Sequence, residues 1–272
     1  MMIIDAHLHL WVIDPEHYPW QPIGGYIPEK EASLARYLDV MESAPIDRAV
    51  LVQPTVYGWD NSYLLSCKNS HPEIFKAVVL VDPLSTSAAD SIVQLAEKGA
   101  DGLRINLQLQ PLEKWDGPSL WDLFNACAQL QMPVCFQATP DYFTFIKEIG
   151  NKYQFPIVVD HLGRPMPGAG LNDPNFKALL ALSDLPNVFV KLTGMNYYSK
   201  NPAPYADTWD LLKAVKAAYG PERCIWGSDF PFILDHWSFD GMLQVMKESL
   251  EFDQEDLSWI LGETAESIWW SS

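Results

Sequence analysis

The sequence of 272 residues predicts a (β/α)8 barrel, and three observations carry that prediction. Eight short apolar runs rich in β-branched residues alternate with eight longer segments of helical period. Several of the short runs are apolar without alternation, as strands buried on both faces are. No glycine-rich phosphate loop follows the first run, which disfavours the open doubly wound sheet as the alternative.

The strands are expected at 3–10 (IIDAHLHL), 48–53 (RAVLVQ), 75–81 (FKAVVLV), 102–107 (GLRINL), 133–137 (PVCFQ), 156–161 (PIVVDH), 187–192 (NVFVKL) and 223–229 (RCIWGSD). Helices are expected near 30–43, 60–70, 87–98, 118–131, 141–151, 172–184, 204–219 and 238–250, with a last one near 254–268. Asp141 and Asp173 stand where N-caps belong, and Gly99 and Gly220 just past helical segments. Strand–helix alternation implies parallel pairing through right-handed crossovers. The segment 12–29, with four prolines, reads as a loop over the barrel mouth. No repeat and no Pro/Gly linker divides the chain, so a single domain over 1–272 is expected.

Composition narrows the function. With 48% hydrophobic and 19% charged residues, the chain has enough apolar content for a large core. Its formal net charge of −17 repels phosphate backbones and anionic membranes, so neither nucleic acid nor a membrane is expected as a partner. The expected partner is a small-molecule substrate, with a homo-oligomer left open. No apolar run approaches the roughly 18 residues that span a bilayer, and no signal peptide is visible. The four cysteines, Cys67, Cys127, Cys135 and Cys224, form no CxxC pair. A reduced, cytoplasmic protein is the expectation.

The chemistry collects at predicted strand ends. Side chains at i, i+2 and i+4 of a strand share a face, so Asp5, His7 and His9 are expected to point one way. The sixth strand ends in Asp160 and His161 with Arg164 beyond, the eighth in Asp229, and the fourth carries Arg104 and Asn106. In a barrel of this kind these ends meet at one mouth. Three imidazoles and a carboxylate (His7, His9, His161 and Asp229) suit a divalent transition ion, zinc or manganese, which would acidify water and polarise a carbonyl. Without an ion, Asp229 can take a proton from water while imidazoles hydrogen-bond a carbonyl oxygen. Both routes lead to hydrolytic attack on a carbonyl.

The motifs DAHLHLW, VQPTVYGWDNSYLL, GLRIN, VVDHLGRP, VKLTG and WGSDFP, in this order over nearly the whole chain, resemble the amidohydrolase superfamily. The likeness is to its amidohydrolase-related lactonase branch, which includes sugar lactonases and 2-pyrone-4,6-dicarboxylate lactonases. The resemblance implies an active site at His7, His9, His161 and Asp229. Two departures bear on the metal. Arg104 and Asn106 stand where two-metal members carry a bridging lysine, and Gln137 where a histidine commonly ends strand five. A binuclear centre is therefore not expected; one ion, or metal-independent catalysis, is.

The roles follow. Asp229 is read as general base, the alternative being a turn residue ahead of Pro231. His7, His9 and His161 bind the ion or polarise the carbonyl, against the alternative of buried, satisfied imidazoles. Arg104, Arg164, Tyr57, Trp59 and Gln137 are the substrate-binding candidates, and Asp5 is a partner for a neighbouring imidazole or for groups inside the barrel. The expected activity is opening of a lactone ring, first a sugar-derived aldono-1,4- or 1,5-lactone. A decarboxylase or amide hydrolase on the same barrel is the alternative, and a non-catalytic binding barrel a further one.

Overall fold

The computed structural model describes residues 1–271. Eight parallel strands follow one another in chain order: β1 (Ile4–Leu8), β2 (Arg48–Val52), β3 (Phe75–Leu80), β4 (Gly102–Asn106), β5 (Val134–Gln137), β6 (Ile157–Val159), β7 (Val188–Lys191) and β8 (Cys224–Ile225). Although β8 itself is short, the chain beyond it returns to β1 and closes the cylinder. Ala6 N donates to the Trp226 carbonyl at 3.2 Å, Asp229 N to His7 O at 2.8 Å, and His9 N to Phe230 O at 2.7 Å. The predicted barrel is the observed one.

The main helices lie close to their predicted places: α1 (Leu34–Ser43), α2 (Ser62–Ser70), α3 (Ala88–Glu97), α4 (Pro118–Gln129), α5 (Phe143–Lys152) and α6 (Pro174–Ala181). Beyond a four-residue helix α7 (Met195–Tyr198) come α8 (Trp209–Tyr219), α9 (Phe239–Gln244), α10 (Gln254–Ser258) and α11 (Thr264–Trp269). Asp173 caps α6 by accepting from the backbone N–H of Asn175 and Phe176. Asp141 caps nothing: it lies inside a 3-10 turn, Pro140–Tyr142, which delays α5 by two residues. The helix α7, absent from the sequence reading, occupies the loop after β7. Among the described residues no helix is long and apolar enough to cross a membrane.

The barrel interior is layered. Ile4, Ala6, Val50, Val52, Val78, Cys135, Val158 and Ile225 form its apolar floor, closed from below by Ile268 and Trp269 of α11. Above that floor stand buried polar side chains, which puts all the chemistry at the C-terminal ends of the strands.

Strand β1 does not keep the strict alternation its sequence suggests. Its pairing with β2 shifts between Asp5 and Leu8, where three steps on β1 oppose two on β2. Such a bulge places two successive side chains on one face. Ala6 belongs to the interior floor and His7 to the polar layer above it, whereas Asp5 points the other way, onto α1. The expectation that Asp5 shares a face with His7 and His9 is thus corrected. Asp5 is a structural clamp: it accepts from Tyr37 OH at 2.9 Å, Ser228 Oγ at 2.6 Å and Ser228 N at 2.8 Å, tying β1 to α1 and to the closing segment.

Closure also depends on Gly227. A Cβ there would lie 2.7 Å from His7 N and 2.8 Å from His7 Cβ, closer than packed atoms approach. Gly227→Ala is therefore expected to destabilise the fold by about 2 kcal/mol in denaturant unfolding, as overpacking of a tight core does. An unchanged midpoint would show that the seam can open without cost.

Candidate active site

The site is built from the polar layer upward. Asp160, just past β6, is fully buried, and its carboxylate is the centre of an ion network. Lys191 Nζ, at the end of β7 and also fully buried, lies 3.1 Å from Asp160 Oδ1; Arg104 Nε, from β4, donates to Oδ2 at 2.9 Å. Burial alone would raise the Asp160 pKa, yet the Lys191 and Arg104 charges hold it well below the usual carboxylate range. Lys191 Nζ also rests 5.7 Å from the centroid of the Trp269 ring of the floor.

This network reaches the histidines. Lys191 Nζ stands 2.9 Å from His7 Nδ1. An ammonium carries no lone pair, so Nδ1 must accept in that bond, and His7 Nε2 then carries the proton. Nε2 has no hydrogen-bond partner and lies 3.6 Å from Asp229 Oδ1. His9 has the opposite arrangement. Its Nδ1 donates to the Val52 carbonyl at 2.8 Å, leaving the Nε2 lone pair facing Asp229 Oδ1 at 3.6 Å. His161 Nδ1 shares a 2.6 Å bond with Thr193 Oγ1, and its ring meets that of His7 edge-on at 4.6 Å. Desolvation keeps all three imidazoles neutral, with His9 brought down to about 3 and His7 and His161 also well below their ordinary value.

Asp229 behaves differently. Burial pushes its carboxyl up to about 7, opposed by the hydrogen bond from Tyr197 OH and by the Arg104 and Arg164 charges. Such a carboxylate is poised to exchange a proton near neutral pH. Tyr197 comes from α7, and neither it nor Lys191 was singled out in the sequence. The legible signal for Lys191 was a lone cation inside the apolar run NVFVKL. For Tyr197 there was none, because its loop helix has only four residues.

Backbone strain marks the same residues. His161, Leu162 and Arg164 adopt φ values of 52°, 52° and 48°, and Asp229 adopts 59°, each in the left-handed region that costs an ordinary residue about 1–2 kcal/mol. Gly163 lies within that turn at φ 64°, where a Cβ would sit 2.3 Å from Phe143 Cζ. The sequence HLGR is thus wound into a left-handed turn that holds His161 at the mouth, over-determined by the packing around it.

Above these groups lies a cavity of about 270 Å³ lined by His9, Arg104, Gln137, His161, Arg164 and Asp229, with Tyr26 and Phe232 over it. Arg104, Arg164 and Gln137 thus line the cavity, and Arg164 stacks 4.4 Å over the Tyr197 ring. Trp59 lies instead at a neighbouring cavity together with Asn106. Tyr57 lines neither one: its hydroxyl is occupied by Val12 N at 2.9 Å, which anchors the long first loop.

The donor set fits one metal ion. Ligand atoms of His7, His9 and Asp229 lie within 4.8 Å of one another, and the unpartnered buried His7 Nε2 faces the same point. His161 stands beside this trio. Two imidazoles and a carboxylate with open positions suit a divalent transition ion. For His7 to serve as a ligand, its proton would move to Nδ1 and be donated to Asp160 Oδ1, 3.4 Å away, and Lys191 would give up its 2.9 Å contact with that nitrogen.

A parallel barrel with imidazoles, a carboxylate of raised pKa and two arginines at its C-terminal mouth is the framework of a barrel hydrolase. The chain belongs to the amidohydrolase family, whose model matches residues 4–269. It is 29% identical over 228 residues to a 4-sulfomuconolactone hydrolase of Hydrogenophaga intermedia, spanning 84% of this chain and 74% of that protein. It is 28% identical over 237 residues to an L-fucono-1,5-lactonase of Burkholderia ambifaria, 84% of this chain and 80% of the other. The crystal structure of a putative 2-pyrone-4,6-dicarboxylic acid hydrolase from Pseudomonas putida superposes with a TM-score of 0.84 at 27% identity, covering 98% of this chain and 97% of that one.

The ion network is open to a direct test. Lys191→Met leaves Asp160 with one counter-charge fewer in the barrel and should cost about 3 kcal/mol in denaturant unfolding. Combining it with Asp160→Asn should recover part of that loss, a coupling of about 1–3 kcal/mol in the double-mutant cycle. Strict additivity would mean that the two side chains do not act as a pair.

Proposed function

We propose that the protein is a lactone hydrolase in which Asp229 is the general base. The observation that carries this reading is a carboxylate with its pKa raised to about 7, facing two neutral imidazoles at the floor of a cavity with two arginines. Lactone-opening activity in the named relatives supports it.

The lactone carbonyl is read as lying against His7 Nε2–H, the one imidazole whose hydrogen bond to Lys191 fixes a proton on the site side. Tyr197 OH holds Asp229 Oδ2 and leaves Oδ1 towards the imidazoles. Asp229 takes a proton from water as that water attacks the carbonyl carbon. The ring C–O bond then breaks, and the proton passes to the leaving alkoxide, giving a hydroxy acid. Arg104 and Arg164 hold the carboxylate that forms. An ion held by His7, His9 and Asp229, zinc being the ion such a set favours, would supply carbonyl polarisation and a more acidic water.

The finer substrate reading is a sugar-derived 1,4- or 1,5-lactone. Thr55, Gln137 and Arg164 around the cavity match ring hydroxyls, and the resemblance to an L-fucono-1,5-lactonase agrees with it.

The base assignment predicts the kinetics. Asp229→Asn should lower kcat for acid release from lactones about 10³-fold while product binding changes little; near-normal turnover would reassign the base. In chelator-treated protein kcat/KM should rise with pH through about 7, since only ionised Asp229 accepts a proton. The Tyr197 hydrogen bond lowers the Asp229 pKa, so Tyr197→Phe should move that acid limb to higher pH. An unmoved limb would detach Tyr197 from the base.

A further inference from the structure

We propose that a second cavity, which shares Arg104 with the lining of the catalytic one, receives an uncharged, largely hydrocarbon arm carried by the substrate ring. This rests on the lactone reading only for the identity of the ring. The second cavity measures about 160 Å³, close to the size of an apolar protein cavity that accommodates benzene. Its walls come from four loops: Ile23 from the first, Trp59 from the second, Leu84 from the one after β3, and Leu109 and Trp115 from the one after β4.

Arg104 lines both cavities. Its Nε is spent on Asp160, but its terminal nitrogens have no protein acceptor among the described residues. The guanidinium is thus a polar neck, able to hold a ring oxygen while the arm passes beyond it. Past the neck the chemistry changes. Arg104 is the only cation on the lining, and the one carboxylate, Asp82, would repel an acidic arm. Asp82 is itself fixed, accepting from Leu84 N at 3.1 Å.

The wall is also preformed. The Trp115 indole N–H donates to the carbonyls of Leu107 and Gln110 at 3.0 and 3.1 Å, and Tyr142 OH donates to Gln110 O at 2.7 Å. A rigid slot that is apolar apart from Arg104, Asp82, Asn106 and Gln110 gains affinity from each methylene it buries against its apolar walls, without first having to be ordered. Trp59, 40% exposed at this cavity, presents an aromatic face that such an arm would cover. Sugar-type lactones are thereby narrowed to those whose substituent is deoxygenated rather than polyhydroxylated.

The test uses ring-opened products, which bind without turnover. Calorimetric Kd values for 4-hydroxypentanoate, 4-hydroxyheptanoate and 4-hydroxynonanoate should tighten about threefold to fourfold per added methylene until the slot fills. An analogue with a terminal carboxylate of equal length should bind more weakly than its alkyl counterpart. Leu109→Trp should flatten the series by filling the slot. Leu84→Trp, at a more exposed position, does the same if the first variant fails to fold. Affinity that is flat with chain length, absent throughout, or better for the acid-ended arm overturns the proposal. Rising affinity with no hydrolysis of the matching lactones would leave the slot standing and overturn only the lactonase reading.

Discussion

The carboxylate of Asp160 is the constraint around which the mouth of this barrel is organised. A buried charge is tolerated only when opposite charge and hydrogen bonds surround it, and Lys191 and Arg104 supply both. The consequences run outward from there. Lys191, drawn to Asp160, also lies on His7 Nδ1 and so fixes which imidazole nitrogen faces the site. Arg104, anchored through Nε, keeps its outer edge for ligand. With Asp160 ionised and the imidazoles neutral, Asp229 is the group left to change charge near neutral pH.

The backbone is bent to bring these groups together. A bulge in β1 sets Ala6 in the floor and His7 in the polar layer, so a single strand contributes to both. Left-handed backbone at His161 and Asp229 aims their side chains where an extended strand would not. The strain is held by neighbours: Gly227 lets the closing segment approach His7, and Asp5 ties that segment through Ser228 to α1. Stability at the seam and geometry at the site are the same set of contacts seen from two sides.

Much of this was legible in the residues. Eight apolar runs defined the barrel, and histidines, an aspartate and an arginine at strand ends defined its mouth, because strand order converts sequence spacing into spatial convergence. What escaped reading has physical reasons. Alternation in β1 assumed an unbroken period of two, and one extra residue reversed the side to which Asp5 points. Lys191 drew no attention in the sequence because its partner, Asp160, is distant along the chain. Tyr57 and Trp59 sit two residues apart on one loop, yet the first is spent on Val12 and the second faces a cavity; only the path of the first loop decides between them. The second cavity, assembled from four loops, has no local signature at all.

The central claim, that the Asp160 network keeps the site imidazoles neutral with fixed tautomers beside a titrating Asp229, is tested most directly by nitrogen NMR of the histidine side chains. Spectra of metal-free protein between pH 5 and 8 should show His7 and His9 neutral throughout, His7 protonated on Nε2 and His9 on Nδ1. An imidazolium signal from either at pH 7, or the same tautomer for both, would contradict it.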